Sequence, residues 1–536
     1  MKTYGLVTAI GLVLASGAQA MPPDKSALSL KFVGQYQTGK FDESAAEIVA
    51  HDARNQRIFV INAATATVDV LDINDPTNPA KIGEIDVSGI GAGVNSVAVY
   101  KDLVAVAVEA DPKQDPGSVA FYDATSLTLL KTVPAGALPD MVTFTPNGRY
   151  VLVANEGEPS DDYTVDPEGS ISVIDLRGGV MQATVVTADF RAYNGKEDEL
   201  RAQGVRIFGP GASAAQDFEP EYITVSRNSQ TAWVVLQENN ALAVVDIKTA
   251  TVTDILPLGT KDHTLPGNEF DASDRDGMIS ITNWPTKGMY MPDAIASYSF
   301  QGQTYIVTAN EGDARDYGGY SEEVRVKDLE LDPVAFPNAA VLQEDENLGR
   351  LKTTTANGDI DGDGKFEEIY SYGARSFSIW SGSGELVYDS GADFENITAA
   401  RIPADFNSNN DENDSFDNRS DDKGPEPEGV ALGQIGSRTI AFIGLERVGG
   451  IMAYDISNPQ DVQFLDYINN RDFSVDAEID GKTNPLVGDL GPEGLVFINA
   501  SKSPNGKPML VVGNEVSGTT TLFEVNVEVP GKGTNR

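Results

Sequence analysis

The sequence predicts an all-β fold built from one unit that is repeated seven times. Each copy opens with an acidic or amide residue before a short apolar run, and the run closes on another such residue, as from Pro139-Asp140 to Asn155-Glu156. A second apolar run that ends in Asp follows, as in Val119–Asp123. These runs are short, rich in Val and Ile and bounded by Gly, Asn, Asp and Pro, so they have the pattern of strands rather than of helices.

About four strands fit into each copy, which is the content of one blade of a β-propeller. The first strands start near Glu47, Asn95, Asp140, Glu221, Asp293, Glu428 and Glu493. The last copy lacks a fourth strand, and residues 30–37 near the N-terminus match the missing one. We therefore predict a seven-bladed β-propeller of the YVTN/WD40-like kind with long loop insertions, closed by the N-terminal strand. Six or eight blades are the alternatives.

The domain organisation is predicted from the same repeat and from the composition of the N-terminal segment. Residues 1–20 have an apolar stretch from Leu6 to Leu14 and end in Ala18-Gln19-Ala20, which predicts a signal peptide cleaved after Ala20. Residues 21–536 form a single predicted domain with insertions near 178–217, 259–291 and 313–424. Within the longest insertion, residues 376–380 and 386–388 are expected to be displaced outer strands, and 407–423 a mobile or metal-ordered loop. The protein is thus predicted to be periplasmic or secreted.

Composition excludes several classes of function. There are 81 acidic and 39 basic residues, for a formal charge of -42, which argues against nucleic acid and favours cations as partners. The chain has no Cys, so disulfides and thiolate sites are excluded, and two His residues are too few for an ordinary zinc alkaline phosphatase. After the signal segment, no stretch reaches the length of a membrane span. A solvated acidic surface is the simpler explanation of the charge, and the oligomeric state is not predicted.

One loop has the spacing of a calcium site. Asp359, Asp361 and Asp363 alternate in a Gly-containing turn, and Glu367 follows them. Alternating carboxylates direct several hard oxygens at one centre, which suits Ca²⁺. Tyr370 stands where an EF-hand has its bidentate Glu, so we predict a calcium loop of another type, closed by Glu367. The alternative is a solvated acidic turn.

The acids at the strand ends form a second constellation. Equivalent positions of successive blades converge around the central channel, so these acids are expected to form rings. We expect one ring at one mouth of the channel, made by Asp140, Glu221, Asp293, Glu428 and Glu493. A second ring is expected at the other end of these strands, made by Glu109, Glu156, Glu238, Glu311, Glu446 and Glu515. The alternative is that each acid merely caps its own strand.

Three loops, at residues 155–166, 261–276 and 310–317, combine acids with rare basic groups. Carboxylates that hold a metal beside basic side chains suit phosphate-ester hydrolysis, because the cation activates water and the basic groups neutralise the phosphoryl oxygens. The predicted metal ligands here are Glu156, Glu158, Asp162, Glu311 and Asp313. The predicted phosphate-facing, catalytic residues are Lys261, His263 and Arg315. Ordinary turns with surface salt bridges are the alternative.

Several of these loops resemble one bacterial family. The strings NEGEPSDDYTVDPEGSISVIDL, LQENNALAVVDI and TANEGDARDY are similar to those of the choice-of-anchor I family. The resemblance implies an exported propeller that acts around calcium and has an alkaline phosphatase-like activity on a small phosphate ester. A non-enzymatic calcium-binding scaffold for surface, matrix or mineral interaction is the alternative. A sensor that binds a small anion in the channel is a third hypothesis.

Overall fold

The computed structural model describes residues 28–527, and within them the fold is all-β, as predicted, with only short helices. Seven four-stranded antiparallel sheets account for most of the described strands, and in six of these sheets the strands pair in the order in which the chain forms them. The predicted signal peptide, residues 1–20, lies outside the described residues. None of the helices within residues 28–527 is long and apolar enough to cross a membrane.

The seven sheets are numbered here along the chain. Sheet 1 contains Val49–Asp52, Arg57–Asn62, Thr67–Asp72 and Ala80–Asp86. Sheet 2 contains Gly93–Tyr100, Leu103–Glu109, Pro116–Asp123 and Leu129–Ala137. Sheet 3 contains Pro139–Phe144, Tyr150–Asn155, Ser170–Asp175 and Thr184–Asp189. Sheet 4 contains Pro220–Val225, Thr231–Leu236, Ala241–Asp246 and Thr251–Pro257.

Sheets 5 and 7 depart from simple succession along the chain, whereas sheet 6 follows it. Sheet 5 contains Ile295–Phe300, Gln303–Asn310, Ser376–Ser381 and Leu386–Asp389, so a long insertion separates its two halves. Sheet 6 contains Pro427–Ile435, Arg438–Leu445, Ile451–Asp455 and Gln463–Ile468. Sheet 7 contains Pro492–Ile498, Met509–Asn514, Thr519–Val527 and the N-terminal strand Leu28–Gln37.

The N-terminal strand completes the last sheet, as expected from the sequence. Leu28–Gln37 pairs antiparallel with Thr519–Val527, and the register joins Leu28 to Val527 and Gln37 to Thr519. The edge of the third strand of sheet 7 is thus covered rather than left open to pair with another chain. Backbone hydrogen bonds between the two ends of the described chain close the arrangement.

Apolar clusters pack each sheet against its neighbours on both sides. In sheet 1, Phe59 and Ile61 pack against sheet 2, whereas Ile58 and Val60 pack against sheet 7. Equivalent clusters join the other successive pairs of sheets. Because both faces of the second strands are buried, most of these strands are nearly continuous apolar runs, as in Leu103–Glu109 and Tyr150–Asn155. The first strands of successive sheets contact one another, and that of sheet 7 contacts that of sheet 1, so the arrangement is propeller-like.

The insertions carry the helices and the small sheets. The helices are Glu197–Gln203, Ala214–Asp217, Ala339–Leu342 and Asp393–Arg401, with 3₁₀ turns at Ala63–Thr65, Val180–Gln182, Arg191–Tyr193 and Val326–Asp328. The additional short strands are Thr260–Asp262, Lys287–Met289, Asp316–Tyr317, Tyr320–Ser321, Glu323–Arg325, Lys352–Thr354, Tyr370–Ser371, Glu478–Ile479 and Lys482–Thr483. The stretch 178–217, predicted as an insertion throughout, contains the fourth strand of sheet 3 at Thr184–Asp189.

Close approach of neighbouring sheets near the axis requires glycine at specific positions. A Cβ atom added to Gly429 would lie 2.0 Å from the carbonyl oxygen of Glu493, and one added to Gly513 would lie 2.0 Å from that of Glu47. We expect Gly429→Ala and Gly513→Ala each to lower the free energy of unfolding by about 1–3 kcal/mol, because the backbone must shift to make room. Denaturant unfolding measures this change.

Gly89→Ala is the matched control, since an added Cβ there meets no atom within 4 Å. A Gly429→Ala variant as stable as the Gly89→Ala variant would contradict the close packing of sheets 6 and 7.

Candidate functional site

An unusual bend introduces the first strand of several sheets. The residue before the strand's proline has a positive φ at Leu138 (45°), Met291 (38°), Glu426 (49°) and Gly491 (67°). A residue before proline ordinarily takes an extended conformation, and non-glycine residues rarely have positive φ. The surrounding structure therefore holds these bends, and such strain is concentrated at functional sites.

A β-bulge follows the bend and reorients the acidic residue. The register shifts between Pro139 and Val142, and it shifts at the equivalent places in sheets 4, 6 and 7. The acid after each proline thus lies in the bulge, outside the regular ladder. Because a bulge redirects side chains, it can turn these acids towards the axis. These acids are Asp140, Glu221, Glu428 and Glu493.

The acids and their neighbours enclose a cavity of about 70 Å³. The first strand of every sheet, or the residues just before it, contributes to its wall. The wall is formed by Ile48, Asn95, Ser96, Asp140, Met141, Tyr222, Asp293, Ala294, Gly429, Val430, Glu493 and Leu495. Further along the same strands the wall contains Val97, Val142 and Phe497 together with His51 and Lys502, and no carboxylate is among its described lining residues. The carboxylates are thus gathered at one end of the channel.

The two predicted rings of acids lie at the same end of the channel, so their assignment to opposite ends was wrong. Pro139 pairs with Asn155, and Pro492 pairs with Asn514. Antiparallel pairing places the start of a first strand beside the end of the second strand. Glu156 therefore lies near Asp140, and Glu515 near Glu493. We call this carboxylate-rich end of the channel the mouth.

The asparagine of the repeated Asn-Glu pair has a structural role. The Asn155 side chain is fully buried and donates hydrogen bonds to the Ser170 and Ser172 hydroxyls, at 3.2 and 3.0 Å. Asn310 bonds in the same way to Ser376 and Ser378. Strand capping thus explains the amides of the motif, whereas the glutamates that follow them line the mouth.

Burial, together with neighbouring carboxylates, raises the pKa values of the acids at the mouth. Burial raises the pKa of Glu47 to about 8, with a contribution from Glu515, and burial raises the pKa of Asp140 to about 7. Burial and the neighbouring Glu238 and Glu156 raise the pKa of Glu221 well above its ordinary value. One carboxylate oxygen in each of several of these residues is buried without a hydrogen-bond partner in the described structure. These residues are Glu221, Glu238, Glu428 and Glu493.

Such unpartnered anionic oxygens are costly in a protein interior, and a bound cation removes the cost. The tightest group consists of Glu47, Glu493 and Glu515, which we call the mouth triad. One carboxylate oxygen from each lies within 4.8 Å of the others. Three hard oxygen donors at this separation fit Ca²⁺. Sequence spacing does not reveal the triad, because Glu47 joins it only through closure of the ring between sheets 7 and 1.

The predicted calcium loop is partly assembled. One carboxylate oxygen from each of Asp359, Asp361 and Glu367 lies within 4.8 Å of the others. Asp359 accepts hydrogen bonds from the Gly362 and Gly364 amides, which orders the turn. Asp363 does not join this group. Its carboxylate pairs with the Lys365 side chain at 3.3 Å.

The other predicted metal ligands are divided between different surroundings. Glu156 and Glu311 lie at the mouth, and burial raises the pKa of the nearby Asp313 to about 6. Glu158 also lies near Asp140 and Glu156, but its carboxylate pairs with Lys113 and accepts a hydrogen bond from Tyr317. The exposed Asp162 caps its own turn through Thr164. The structure thus brings only part of the predicted set together.

The three residues predicted to face phosphate have structural contacts instead. Arg315 is 1% exposed and is ion-paired with Asp217 at 2.7 Å and Glu219 at 3.0 Å. Lys261 is buried and contacts Asp389 at 3.0 Å. His263 Nδ1 lies 2.6 Å from the Asn268 carbonyl oxygen, and burial lowers the pKa of His263 to about 3. These contacts do not fit the predicted catalytic role.

Basic side chains do reach the mouth, but from other positions. The predicted loop 407–423 packs against the mouth with much of its length buried, including Asn407, Ser420 and Lys423. Lys423 is 2.6 Å from Glu311. Arg447, at the end of the second strand of sheet 6, contacts Glu426 and is 3.1 Å from Glu446. No repeated pattern marks these residues in the sequence.

Comparison with known proteins identifies the family. The model of the choice-of-anchor I domain matches residues 47–459. The chain belongs to the choice-of-anchor I family. The resemblance seen in the sequence is thereby confirmed.

Two curated relatives of this choice-of-anchor I protein are similar over part of their length. Gigasin-3a of Magallana gigas is 35% identical over 193 residues, which are 34% of this chain and 66% of that protein. The mesenchyme-specific cell surface glycoprotein of Strongylocentrotus purpuratus is 27% identical over 399 residues, 65% of this chain and 47% of that protein. The chain thus matches about half to two thirds of the length of these relatives.

Solved structures with a similar shape have low identity to this choice-of-anchor I protein. Hydrazine synthase of Kuenenia stuttgartiensis has a TM-score of 0.48 and 14% identity, and the match covers 92% of this chain and 99% of that one. The Cps50 (Swd1) β-propeller domain of Myceliophteria thermophila has a TM-score of 0.45 and 8% identity, over 93% of this chain and 100% of that one.

The raised pKa values predict how stability depends on pH. A carboxyl group whose pKa is raised on folding stabilises the protein at low pH, and this contribution is lost as the pH rises through the folded-state pKa. For Glu47 the window runs from its ordinary value of 4.5 to about 8. With a chelator present, the melting temperature should fall across this window, and Glu47→Gln or Glu493→Gln should reduce the fall.

Glu84→Gln, at an exposed salt bridge with Lys81, is the control and should leave the slope unchanged. A melting temperature that does not change across the window would contradict the crowding of charged carboxylates at the mouth. Calorimetry at several pH values gives the measurement.

Proposed function

We propose that this choice-of-anchor I protein is an exported seven-bladed propeller that binds Ca²⁺ at the mouth and hydrolyses small phosphate monoesters there. The observation that carries the proposal is the adjacency of the mouth triad to basic groups. Glu515 of the triad is hydrogen-bonded to Glu446, and Glu446 contacts Arg447 at 3.1 Å. A phosphate ester is a ligand that a divalent cation and a guanidinium group can bind together.

Each part of the site has a defined chemical task. When bound, Ca²⁺ supplies positive charge that polarises a phosphoryl oxygen and lowers the pKa of a coordinated water. Glu47, Glu493 and Glu515 hold and orient that charge. Arg447 and Lys423 neutralise phosphoryl oxygens, replacing Lys261, His263 and Arg315 in the role first predicted for those residues. Carboxylates behind Arg447 and Lys423 fix their positions, so little reorganisation is needed when substrate binds.

Export rests on two supports. The first 20 residues have the pattern of a cleaved signal peptide, and one relative is named a cell surface glycoprotein. We therefore propose a periplasmic or secreted location, where calcium is available to a site of modest affinity.

Calcium titration by calorimetry tests the metal site. Glu493→Gln and Glu515→Gln each remove one anionic ligand from the triad, so we expect each to weaken calcium binding by at least about tenfold. Asp359→Asn combined with Asp361→Asn should remove a separate, second site. Unchanged calcium affinity in both triad variants would refute the assignment of the mouth as a metal site.

Phosphate release from p-nitrophenyl phosphate tests the activity. We expect calcium-dependent turnover that a chelator abolishes and that Glu493→Gln reduces by about tenfold or more. Glu84→Gln should have the wild-type rate. Turnover that persists in the chelator would exclude the calcium-dependent mechanism.

A non-enzymatic calcium-binding scaffold is the second candidate. It is favoured by the exposed Asp359 loop, where a cation would remain accessible to an external surface. Calcium binding at both sites, with no turnover on a panel of phosphate esters, would select the scaffold over the enzyme.

A further inference from the structure

A pocket of about 240 Å³ beside the mouth gathers an unusual number of basic groups. Lys352, Arg419, Lys423 and Arg447 all line it, in a chain where acids outnumber bases by 81 to 39. They come from three separate segments: the long insertion, the loop before sheet 6 and the end of that sheet's second strand. We call this the basic pocket.

Carboxylates behind the basic pocket hold its cations in place. Glu426 is fully buried and lies 2.6 Å from Arg419 and 3.6 Å from Lys423, and it also contacts Arg447. Asp422 contacts Arg419 at 2.8 Å and Lys352 at 3.2 Å. The neighbouring guanidinium and ammonium groups keep Glu426 ionised, because they lower its pKa despite its burial. The four cations are therefore preorganised rather than free to rotate away.

Arg419 keeps hydrogen-bonding capacity for a ligand. Both of its ion pairs use the same nitrogen, Nη2. Its Nε atom is buried and has no hydrogen-bond partner within residues 28–527. A buried guanidinium N–H without a partner is costly, and an oxyanion is the strongest acceptor for it.

Charge balance makes binding at the basic pocket depend on the mouth triad. Six carboxylates line the pocket or pair with its cations: Glu311, Asp313, Glu323, Asp422, Glu426 and Glu446. They outnumber the four basic groups, so a dianion meets net negative surroundings. A divalent cation at the triad offsets this excess of two negative charges, and it acts close to the basic pocket because Glu446 connects the triad residue Glu515 to Arg447.

We propose that the basic pocket binds the tetrahedral oxyanion of a phosphate monoester, and that it does so only after a divalent cation occupies the mouth triad. Lys352 and Arg419 contact the oxyanion from the side away from the triad and determine its affinity. This inference rests on the proposed phosphoesterase function and assigns the group that recognises its substrate. Binding is ordered: the cation comes first and the phosphate second.

Calorimetric titration with methylphosphonate, a non-hydrolysable monoester analogue, tests the proposal on the full chain. With calcium present we expect a single binding event, which Arg419→Gln and Lys352→Gln each weaken by about tenfold or more. With a chelator, or in Glu493→Gln, binding should be lost. Lys507→Gln is the matched control, because Lys507 is ion-paired with Glu524 on the outer part of sheet 7, and it should bind as the wild type does.

The outcomes separate this proposal from the proposed function. Methylphosphonate binding without turnover of any ester supports oxyanion binding at the basic pocket and rejects the proposed phosphoesterase activity. Turnover with the wild-type KM in both Arg419→Gln and Lys352→Gln rejects the basic pocket as the substrate-binding site and leaves the proposed activity unaffected. Equal binding with calcium and with chelator overturns the ordered requirement. Lys352 is partly exposed, so Lys352→Gln provides the test even if Arg419→Gln fails to fold.

Discussion

Repulsion among carboxylates that the fold holds together is the constraint on which the site depends. The seven first strands lie side by side around one axis, so the acids at the starts of most of these strands have no direction in which to avoid one another. Sheet pairing and the apolar clusters between sheets supply the free energy that keeps these strands in place. The mouth is thus an anionic centre whose protonation and cation binding are coupled to folding.

The bend before each first strand shows how this arrangement is built locally. Proline fixes the backbone after the bend, and the preceding residue takes a left-handed conformation that only glycine adopts without strain. Gly491 fits this requirement, whereas Leu138, Met291 and Glu426 carry side chains there. Glu426 uses the position to place its carboxylate behind Arg419, Lys423 and Arg447. Glu426 therefore belongs both to the repeated bend before a first strand and to the group of carboxylates behind the basic pocket.

The repeated strands and their acids could be predicted from the sequence, whereas the contacts of the basic residues between the repeats could not. The Pro-acid and Asn-Glu pairs recur in several of the successive units, so the strands, the N-terminal closing strand and the acids near the channel follow from the repeat. The two groups of acids were predicted at opposite ends, but antiparallel pairing brings the end of each second strand beside the start of the first strand and so places both groups at one end. Arg315 resembles a site residue by its loop, but only tertiary contacts reveal Asp217 and Glu219 beside it. Lys352, Arg419 and Arg447 meet across long sequence separations that no local pattern records.

The two ends of the channel differ in their charged side chains, so the charge distribution along the channel axis is asymmetric. Carboxylates are gathered around one opening, whereas the described wall towards the other contains no carboxylate and includes Lys502 and His51 beside valine and phenylalanine side chains. On a cationic support, such as a crystal face rich in exposed metal ions, the protein would adsorb with its mouth downwards. A layer adsorbed in this way would present the opening that contains Lys502 to the medium, and its surface charge would differ from that of a randomly oriented film.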